Sequence, residues 1–355
     1  MSDNTNLIAD SIGRILSGGM SRAVLDAAEQ GRWPTSLWKS VEEAGFTRVL
    51  MAESEGGTGG GWVDAYPVLH SIGHERVPLP LAETLVGNGL LTKAGLPVAE
   101  GACALIQQRR GGSELEMTLK GDALVLNGRI AAVPWASQAA WFVIAGRAGD
   151  KSLVGLVDAS DPSLSIERGS NFAFEPQDSV SFADCRTTAF TAVGPELADA
   201  PVLTFGALAR AVQMAGALQW LLAQTLRHAR EREQFGRPLA NFQAVKQMLA
   251  VLASEVVAAA TAAQAACEAA ERGDGRFEIA VAKVRTGQAV GTANLLAHQI
   301  HGAMGFTYEH TLHFTTRRLW SWRADYGNEA WWAMEIGKAA ISRGGDRFWE
   351  DLTAR

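Results

Sequence analysis

Residues 230–239 read Arg-Glu-Arg-Glu-Gln-Phe-Gly-Arg-Pro-Leu and separate two long apolar helical patterns. Before this stretch, apolar residues recur at steps of three and four over residues 208–226, which predicts an amphipathic helix. After it, a second helix is predicted over residues 242–272, ended by Gly273. Guanidinium groups near a helix end, with Phe235 available to cover a ring, suit a polyanionic ligand. Taken alone, however, the stretch favours a charged connection between helices.

Outward from this stretch, the pattern of apolar residues changes along the chain. Leu115, Met117 and Leu119 alternate with polar residues, which is typical of a strand, and short apolar runs continue the pattern further on. The long helices with short connections that follow indicate an antiparallel bundle. The sequence therefore predicts a mainly α protein with a central β domain, divided into an N-terminal helical domain (1–101), the β domain (102–201) and a C-terminal helical bundle (202–355).

Composition and charge exclude several classes of protein. With 47% hydrophobic and 20% charged residues, the chain of 355 residues can bury substantial apolar cores. Its net charge is -6 and it carries no basic stripe, so we expect no nucleic-acid partner. Its three cysteines, Cys103, Cys185 and Cys267, are far apart in the sequence, which excludes a disulfide framework and a CxxC zinc site.

The sequence predicts a cytoplasmic protein with no membrane partner. Residues 1–9 carry Asp3 and lack the basic-then-apolar order of a signal peptide. The most apolar helical run, residues 251–270, contains Glu255 and Glu268, so we expect a soluble helix rather than a membrane span.

Two pairs of histidines lie about one helical turn apart, His298 with His301 and His310 with His313. Such pairs can bind a metal ion, but no cysteine or carboxylate completes either site at a suitable spacing. We therefore interpret them as histidines of the core or of an interface and predict no metal site.

Two stretches resemble the acyl-CoA dehydrogenase family. Residues 232–243 match that family's signature R-x-[QTA]-F-G-x-x-[LI]-x-x-[FH]-Q. Residues 299–309, followed by Arg317, resemble its Q-x-x-G-G-x-G-[FY]-x-x-E motif, with Ala303 in place of the second glycine. The resemblance extends over nearly the whole chain and is most specific in residues 225–310.

The resemblance implies N-terminal helices, a central β barrel and a C-terminal four-helix bundle, assembled as a dimer or tetramer around FAD. It also implies a reaction in which a carboxylate takes the α-proton of an acyl-CoA while a hydride leaves the β-carbon for flavin N5. In that family the two motifs hold the ADP half of an FAD bound mainly by the neighbouring subunit. The corresponding residues here are Arg232, Gln234, Phe235 and Gln299, with Gly302 and Ala303 near the pyrophosphate.

The resemblance also places the catalytic base, and neither family position carries a carboxylate here. One position falls on Tyr326 and the other on Gly206. The position next to Gly206, where the family has a substrate-contacting arginine, is Ala207 here. Tyrosine titrates near pH ~10 against ~4.3 for glutamate, and burial raises its pKa further, so we do not expect Tyr326 to act as the base. Arg210, one helical turn on, could contact an acyl-CoA or form an intersubunit ion pair.

Two positions of the β domain also depart from the family. The threonine that hydrogen-bonds flavin N5 falls on Pro134, which has neither a hydroxyl nor a backbone N–H. The tryptophan that packs beside the flavin falls on Ala132, although Trp135 is close enough in sequence for a loop shift to restore it.

These resemblances predict one subunit of a heteromeric acyl-CoA dehydrogenase, similar to the paired chains of bacterial steroid side-chain β-oxidation. Such a subunit would hold the ADP end of FAD for a homologous partner chain, in a heterotetramer that acts on a bulky acyl-CoA. The main alternative is a self-sufficient homo-oligomer whose base is Asp325 or Glu329 on a displaced loop. A flavin monooxygenase on the same fold and a scaffold subunit without flavin also stay open.

Overall fold

The computed structural model describes residues 3–108, 115–194, 197, 200–273 and 275–353. The N-terminal part is helical, and its helices pack around a core that continues into the rest of the chain. Its five α-helices are α1 (Asp3–Gly19), α2 (Arg22–Glu29), α3 (Thr35–Glu43), α4 (Trp62–Glu75) and α5 (Leu81–Lys93).

The central part consists of two four-stranded sheets. They form the β domain for which the resemblance implied a barrel. The strands are β1 (Cys103–Gln107), β2 (Leu115–Lys120), β3 (Ala123–Pro134), β4 (Trp141–Ala148), β5 (Lys151–Asp158), β6 (Leu164–Glu167), β7 (Gln177–Thr187) and β8 (Phe190–Ala192). One sheet has the order β1-β4-β5-β8 and the other β2-β3-β7-β6. All pairs are antiparallel except β1 with β4. Apolar residues of both sheets share one core.

The C-terminal part is a bundle built on three long helices. Its elements are α6 (Pro201–Glu231), β9 (Glu233–Gln234), β10 (Arg237–Pro238), α7 (Gln243–Arg272), α8 (Arg276–His301), α9 (Leu312–Trp322), α10 (Glu329–Arg343) and α11 (Phe348–Thr353). Helix α6 packs against α4, α7 and α8, while α9 and α10 pack against α6 and α8 respectively. The predicted end of the second long helix is confirmed, because Gly273 caps α7 with a φ of 100°.

Helix α6 is the central helix of the molecule, and two glycines allow it to approach α4 closely. A Cβ on Gly73 of α4 would lie 1.9 Å from the backbone oxygen of Gln213, and a Cβ on Gly216 of α6 would lie 2.0 Å from that of His70. Only glycine permits backbones this close. The contact fixes α6 against the N-terminal helices, and α6 carries several residues of the candidate site.

In the described part of the chain, two helices, α6 and α7, are long and apolar enough to cross a membrane by length and composition. The most apolar window of α6 is 94% buried inside the protein, as expected of a core helix. The corresponding window of α7 is only 22% buried. One side of α7 packs on α6 and α8. Its other side, which no described residue covers, includes the exposed apolar residues Val251 and Val257.

Candidate functional site

The first family-like motif forms a tight hairpin directly after α6. Gln234 of β9 pairs with Arg237 of β10, and the two turn residues, Phe235 and Gly236, have φ values of 52° and 78°. Positive φ at both positions is the signature of a type I′ turn. This conformation suits glycine but strains phenylalanine. The hairpin thus holds Phe235 at its tip, where 91% of the residue is exposed.

Arg232 connects this hairpin to α6. Its backbone N–H donates to the carbonyl of His228 at 2.9 Å, and its own carbonyl accepts from the N–H of Leu239 at 2.9 Å. The side chains of Arg232 and Gln234 are both exposed. Within the described part of the chain, the guanidinium of Arg232 has no hydrogen-bond or ion-pair partner. The backbone of the hairpin is therefore anchored while its polar side chains face outward.

The second family-like motif lies at the end of α8. The helix ends at His301, and Gly302 has φ 58° and ψ -144°, a conformation that favours glycine. A short 3₁₀ turn, Gly302–Phe306, follows. Gln299, Gly302 and Ala303 are all exposed at this end of the helix.

The two motifs are joined through a pair of stacked imidazoles. His228 precedes Arg232 by one helical turn, and His301 follows Gln299 by two residues. The ring centroids of His228 and His301 lie 4.3 Å apart with an interplanar angle of 22°. The stack brings the ends of α6 and α8 together, although they are far apart in sequence. We call the exposed residues at these two ends the clamp surface, defined by Arg232, Gln234, Phe235, Gln299, Gly302 and Ala303.

The two positions that the resemblance assigns to the catalytic base lie in direct contact. A Cβ on Gly206 would lie 2.5 Å from Cδ1 of Tyr326, so the tyrosine ring fills the space beside this glycine. Tyr326 has a φ of 53°. Burial raises the pKa of Tyr326 well above its usual value. Its hydroxyl is buried and has no hydrogen-bond partner among the described residues, and the phenol stays neutral.

Arg210 lies in the interior beside Tyr326, with 2% of the residue exposed. Its Nη2 donates to Oε1 of Glu83 at 2.6 Å and its Nε donates to Oδ2 of Asp325 at 2.9 Å. The third nitrogen, Nη1, donates to Oε1 of Gln213 at 2.6 Å. These ion pairs form within the chain, which corrects the alternative expectation of an intersubunit pair. They also commit all three nitrogens internally, so the substrate contact considered for Arg210 gains no support.

The two alternative carboxylates, Asp325 and Glu329, are engaged as well. Besides the bond from Arg210, Asp325 accepts one at Oδ1 from Nε2 of Gln177 at 3.1 Å. Burial raises the pKa of Asp325, while the charge of Arg210 opposes the rise. Glu329, the first residue of α10, forms an ion pair with Arg323. Either group would have to leave an ion pair before it could accept a proton from a substrate.

Lys283 of α8 contacts the start of the segment between α9 and α10, which carries Tyr326. Its Nζ donates to the carbonyl of Arg323 at 2.8 Å and contacts the carbonyl of Trp322 at 3.4 Å. Burial lowers the pKa of Lys283 to about 7. The segment between α9 and α10 is therefore held by Lys283 at its start and by Arg210, through Asp325, next to the tyrosine.

A cavity of about 280 Å³ opens beside the start of α6. Within it, Trp62 stacks on Phe205 with ring centroids 5.1 Å apart, and the Lys93 ammonium lies over the same phenylalanine. Phe205, which lines the cavity, directly precedes Gly206 in the sequence, whereas neither Gly206 nor Tyr326 is among the lining residues. Its lining is mostly apolar and comprises Leu50, Gly60, Gly61, Trp62, Val86, Gly89, Leu90, Lys93, Phe205, Ala270 and Glu271.

The structure also gathers three histidines that the sequence analysis did not group. His228, His301 and His310 each place one potential ligand nitrogen within 4.8 Å of the others. By spacing along the sequence, His301 pairs with His298 and His310 with His313, and the sequence predicts no metal site. No spacing rule could have found this group, because His228 comes from another helix.

Comparisons with known proteins agree with this fold and these motifs. Residues 194–340 match the family model for the acyl-CoA dehydrogenase C-terminal domain. A curated relative, the acyl-CoA dehydrogenase IpdE2 of Mycobacterium tuberculosis, is 28% identical over 82% of this chain and 82% of its own length. Residues 194–340 thus match the C-terminal domain of acyl-CoA dehydrogenases, and the chain as a whole is similar to enzymes of that family. Acyl-CoA dehydrogenases are FAD-dependent oxidoreductases, so FAD is the cofactor that this similarity supports.

Solved structures show the same acyl-CoA dehydrogenase fold. A chain of the ChsE4-ChsE5 complex from Mycobacterium tuberculosis superimposes with a TM-score of 0.89 at 19% identity, covering 97% of this chain and 98% of that one. A chain of the Tcur3481-Tcur3483 steroid ACAD superimposes with a TM-score of 0.87 at 24% identity, covering 96% and 98%. These similarities establish the fold.

The β domain is irregular at the positions that the resemblance assigns to the flavin N5 contact and to the neighbouring tryptophan. Pro134 is the last residue of β3 and lies opposite Gln177 of β7. The register of β3 shifts between Ile130 and Val133, and Ala132 within the shift has a φ of 58°. Trp135, which follows β3, is only 6% exposed.

Proposed function

We propose that this chain is the subunit of a heteromeric acyl-CoA dehydrogenase that holds the ADP half of FAD for a partner and does not supply the catalytic base. The observation that carries the proposal is the packing of Tyr326 against Gly206. These are the two places from which the family draws its carboxylate, and here an aromatic ring fills the space between them.

The clamp surface supports the cofactor half of this proposal. The free guanidinium of Arg232 offers a fixed positive charge and paired donors, which suit the oxygens of a diphosphate. The exposed ring of Phe235 is available to pack on an adenine. Backbone strain at an exposed aromatic residue is typical of a binding position, since it persists only where the surrounding structure enforces it.

The alternative of a self-sufficient enzyme requires a carboxylate to leave an ion pair. Such an enzyme would place the acyl group in the cavity beside Phe205 and use Asp325 as its base. Asp325 would then have to leave Arg210, whose charge would stay buried without one of its two partners. Removing one partner of a buried pair costs about 3–5 kcal/mol. The proposal therefore assigns proton abstraction to the partner chain.

An oligomer is supported by the apolar surface of α7. Val251 and Val257 on this helix are 48% and 63% exposed, and extended apolar surfaces of this kind mark interaction sites. The ChsE4-ChsE5 and Tcur3481-Tcur3483 proteins are each named as a pair of chains, and the second is named as a steroid ACAD. By analogy, we expect a heterotetramer with a homologous partner, acting in the cytoplasm on the CoA thioester of a bulky, steroid-like acyl group.

The flavin content of the assembled complex tests this function. The chain is co-expressed with a homologous candidate partner chain from its source genome, and FAD per complex is measured after gel filtration. We expect Arg232→Ala to lower retained FAD at least tenfold, because it removes the charge nearest the proposed diphosphate. Arg230→Ala, two residues earlier and also exposed, is the matched control and should retain FAD.

The same experiment separates the proposal from a scaffold without flavin. Arg232 and Gln299 are both exposed to solvent in the single subunit. This exposure is expected if a partner subunit completes the FAD site and also if the chain is a scaffold, so it does not distinguish the two functions. A colourless complex with both wild-type chains present would contradict the clamp and favour the scaffold. Equal flavin content in the Arg232→Ala and Arg230→Ala complexes would contradict the role assigned to Arg232.

A further inference from the structure

Three imidazoles from separate elements meet beneath the clamp surface. His228 lies in the last turn of α6, His301 ends α8, and His310 lies in the segment that leads into α9. The ring centroids of His301 and His310 are 4.8 Å apart, and those of His228 and His310 are 6.3 Å apart. One nitrogen of each ring lies within 4.8 Å of the other two. This proximity depends on the packing of α6 against α8. His301 lies within the second family-like motif, but at a position where that motif accepts any residue.

The hydrogen bonds of His301 leave one of its nitrogens without a partner among the residues that the structure describes. Nδ1 lies 2.7 Å from the carbonyl of Ala297, which fixes the proton of the neutral ring on Nδ1. Nε2 is buried and has no partner among the described residues, although a buried polar atom normally has one. In metal sites, a histidine ligand commonly binds the ion through one ring nitrogen and donates the N–H of the other to a backbone carbonyl, which orients the ring.

The other two rings are also available as neutral donors. Burial lowers the pKa of His228 and of His310, and it lowers the pKa of His301 to about 4. At neutral pH the three rings therefore carry lone pairs rather than charges. In the described part of the chain, neither ring nitrogen of His228 has a hydrogen-bond partner.

We propose that His228, His301 and His310 bind one divalent transition-metal ion that prefers nitrogen ligands, such as Zn²⁺. Three neutral imidazoles with an open fourth position form a ligand set that such ions accept. The fourth position would take water or an anion. The ion would cross-link the ends of α6 and α8, and hence the two helix ends that carry the clamp surface.

Binding requires a small rearrangement that the structure defines. With Zn–N bonds of about 2.0–2.1 Å, tetrahedral ligand atoms lie roughly 3.3 Å apart, so the nitrogens must move closer than the 4.8 Å that encloses them now. Nδ1 of His310 accepts the N–H of Leu312 at 3.1 Å. That bond must break, whether His310 coordinates through Nδ1 or through Nε2 with Nδ1 protonated.

Nearby charges set the expected affinity. The charges of Arg232 and Arg227 lower the pKa of His228 and His310 respectively, whereas that of Glu231 raises the pKa of His228. The arginines disfavour a cation to some extent, and no carboxylate belongs to the three-histidine group. We therefore expect a dissociation constant on the order of 10 µM rather than the nanomolar values of closed structural sites.

Calorimetric titration of the tag-free, chelator-treated full chain with Zn²⁺ tests the proposal. We expect saturable binding of one ion per chain and visible d–d bands of a tetrahedral site when Co²⁺ is used instead. His301→Gln should weaken binding by more than about 100-fold, beyond the loss typical of a supporting group. The matched control is His74→Gln on α4, which lies outside the cluster and should bind as the wild type does.

A folding defect in the buried His301 variant would not obscure the result. His228→Gln and His310→Gln change less buried residues, and each should also lose saturable binding while keeping the wild-type circular dichroism spectrum. The proposal is overturned if the wild-type chain shows no saturable 1:1 binding below 1 mM Zn²⁺, or if His228→Gln and His310→Gln bind as tightly as the wild type. Neither readout depends on flavin or on a partner, so this test is independent of the proposed function.

Discussion

The ring of Tyr326 occupies the space into which a side chain at Gly206 would extend, with only 2.5 Å between Cδ1 and the position of a Cβ. The two residues come from different elements, the segment before α10 and the first turns of α6. The ring of Tyr326 therefore fits only if residue 206 is glycine. Without the ring, the space beside Gly206 would be empty.

A double-mutant cycle measures this dependence. Gly206→Ala should destabilise the wild-type chain by about 1–3 kcal/mol, because the added methyl group overpacks the site. In a Tyr326→Ala background the same substitution should be neutral or stabilising, since the space is then free and alanine favours a helix. Urea unfolding of the four proteins gives the coupling free energy, which we expect to be about 1–3 kcal/mol. Additive effects would mean that the two side chains do not compete for one space.

Arg210 is expected to be the most sensitive charged residue of the interior. Arg210→Met would leave Glu83 and Asp325 buried without their cation, at a cost of about 3–5 kcal/mol in the free energy of unfolding. Arg129→Met, which breaks an exposed pair with Glu167, serves as control and should cost about 0–1 kcal/mol. Similar losses in the two variants, measured by urea unfolding, would show that the Arg210 pairs are not structural.

Lys283 should give stability a distinctive pH dependence. Its pKa falls from 10.5 to about 7 on folding, so the unfolded chain binds more protons between these values and stability rises with pH in that window. Relative to Lys283→Met, the free energy of unfolding of the wild type should rise by up to about 1.4 kcal/mol per pH unit between pH 7 and 9. Parallel curves for the two proteins would indicate that Lys283 stays charged in the fold.

The exposed side of α7 is expected to be a subunit contact. Val257→Glu places a charge on this apolar surface and should shift the purified protein towards a smaller species in sedimentation velocity. Leu7→Glu on α1 changes another exposed apolar residue, 68% accessible in the single chain, and should leave the sedimentation coefficient unchanged. An unchanged assembly in the Val257 variant would place the subunit contact elsewhere.

Local sequence signals predicted much of the architecture. The alternation of Leu115, Met117 and Leu119 with polar residues predicted a strand, and these residues lie in β2. The end of α7 follows from Gly273, the residue that favours a left-handed cap. Strand β1 was not predicted, because its five residues pair in parallel with β4, more than 30 positions away. Such pairing leaves no periodic signal within the strand.

The candidate site was predictable only where a contiguous motif defines it. The residues of the clamp surface belong to two sequence motifs, residues 232–243 and 299–309, so the sequence alone identified them. The ion pairs of Arg210 were not predicted, since Asp325 and Glu83 lie 115 and 127 positions away. The stack of His228 on His301 was missed for the same reason. Side-chain partners from separate helices are set by tertiary packing, which spacing along one chain does not encode.

Turnover by the isolated chain tests the central claim most directly. The purified chain, incubated with excess FAD, a steroid side-chain acyl-CoA and an artificial electron acceptor, should show no dehydrogenation, whereas the complex with its homologous partner chain should be active. A single-chain rate equal to that of the complex, abolished by Asp325→Asn, would contradict the account. It would show that this polypeptide carries its own base after all.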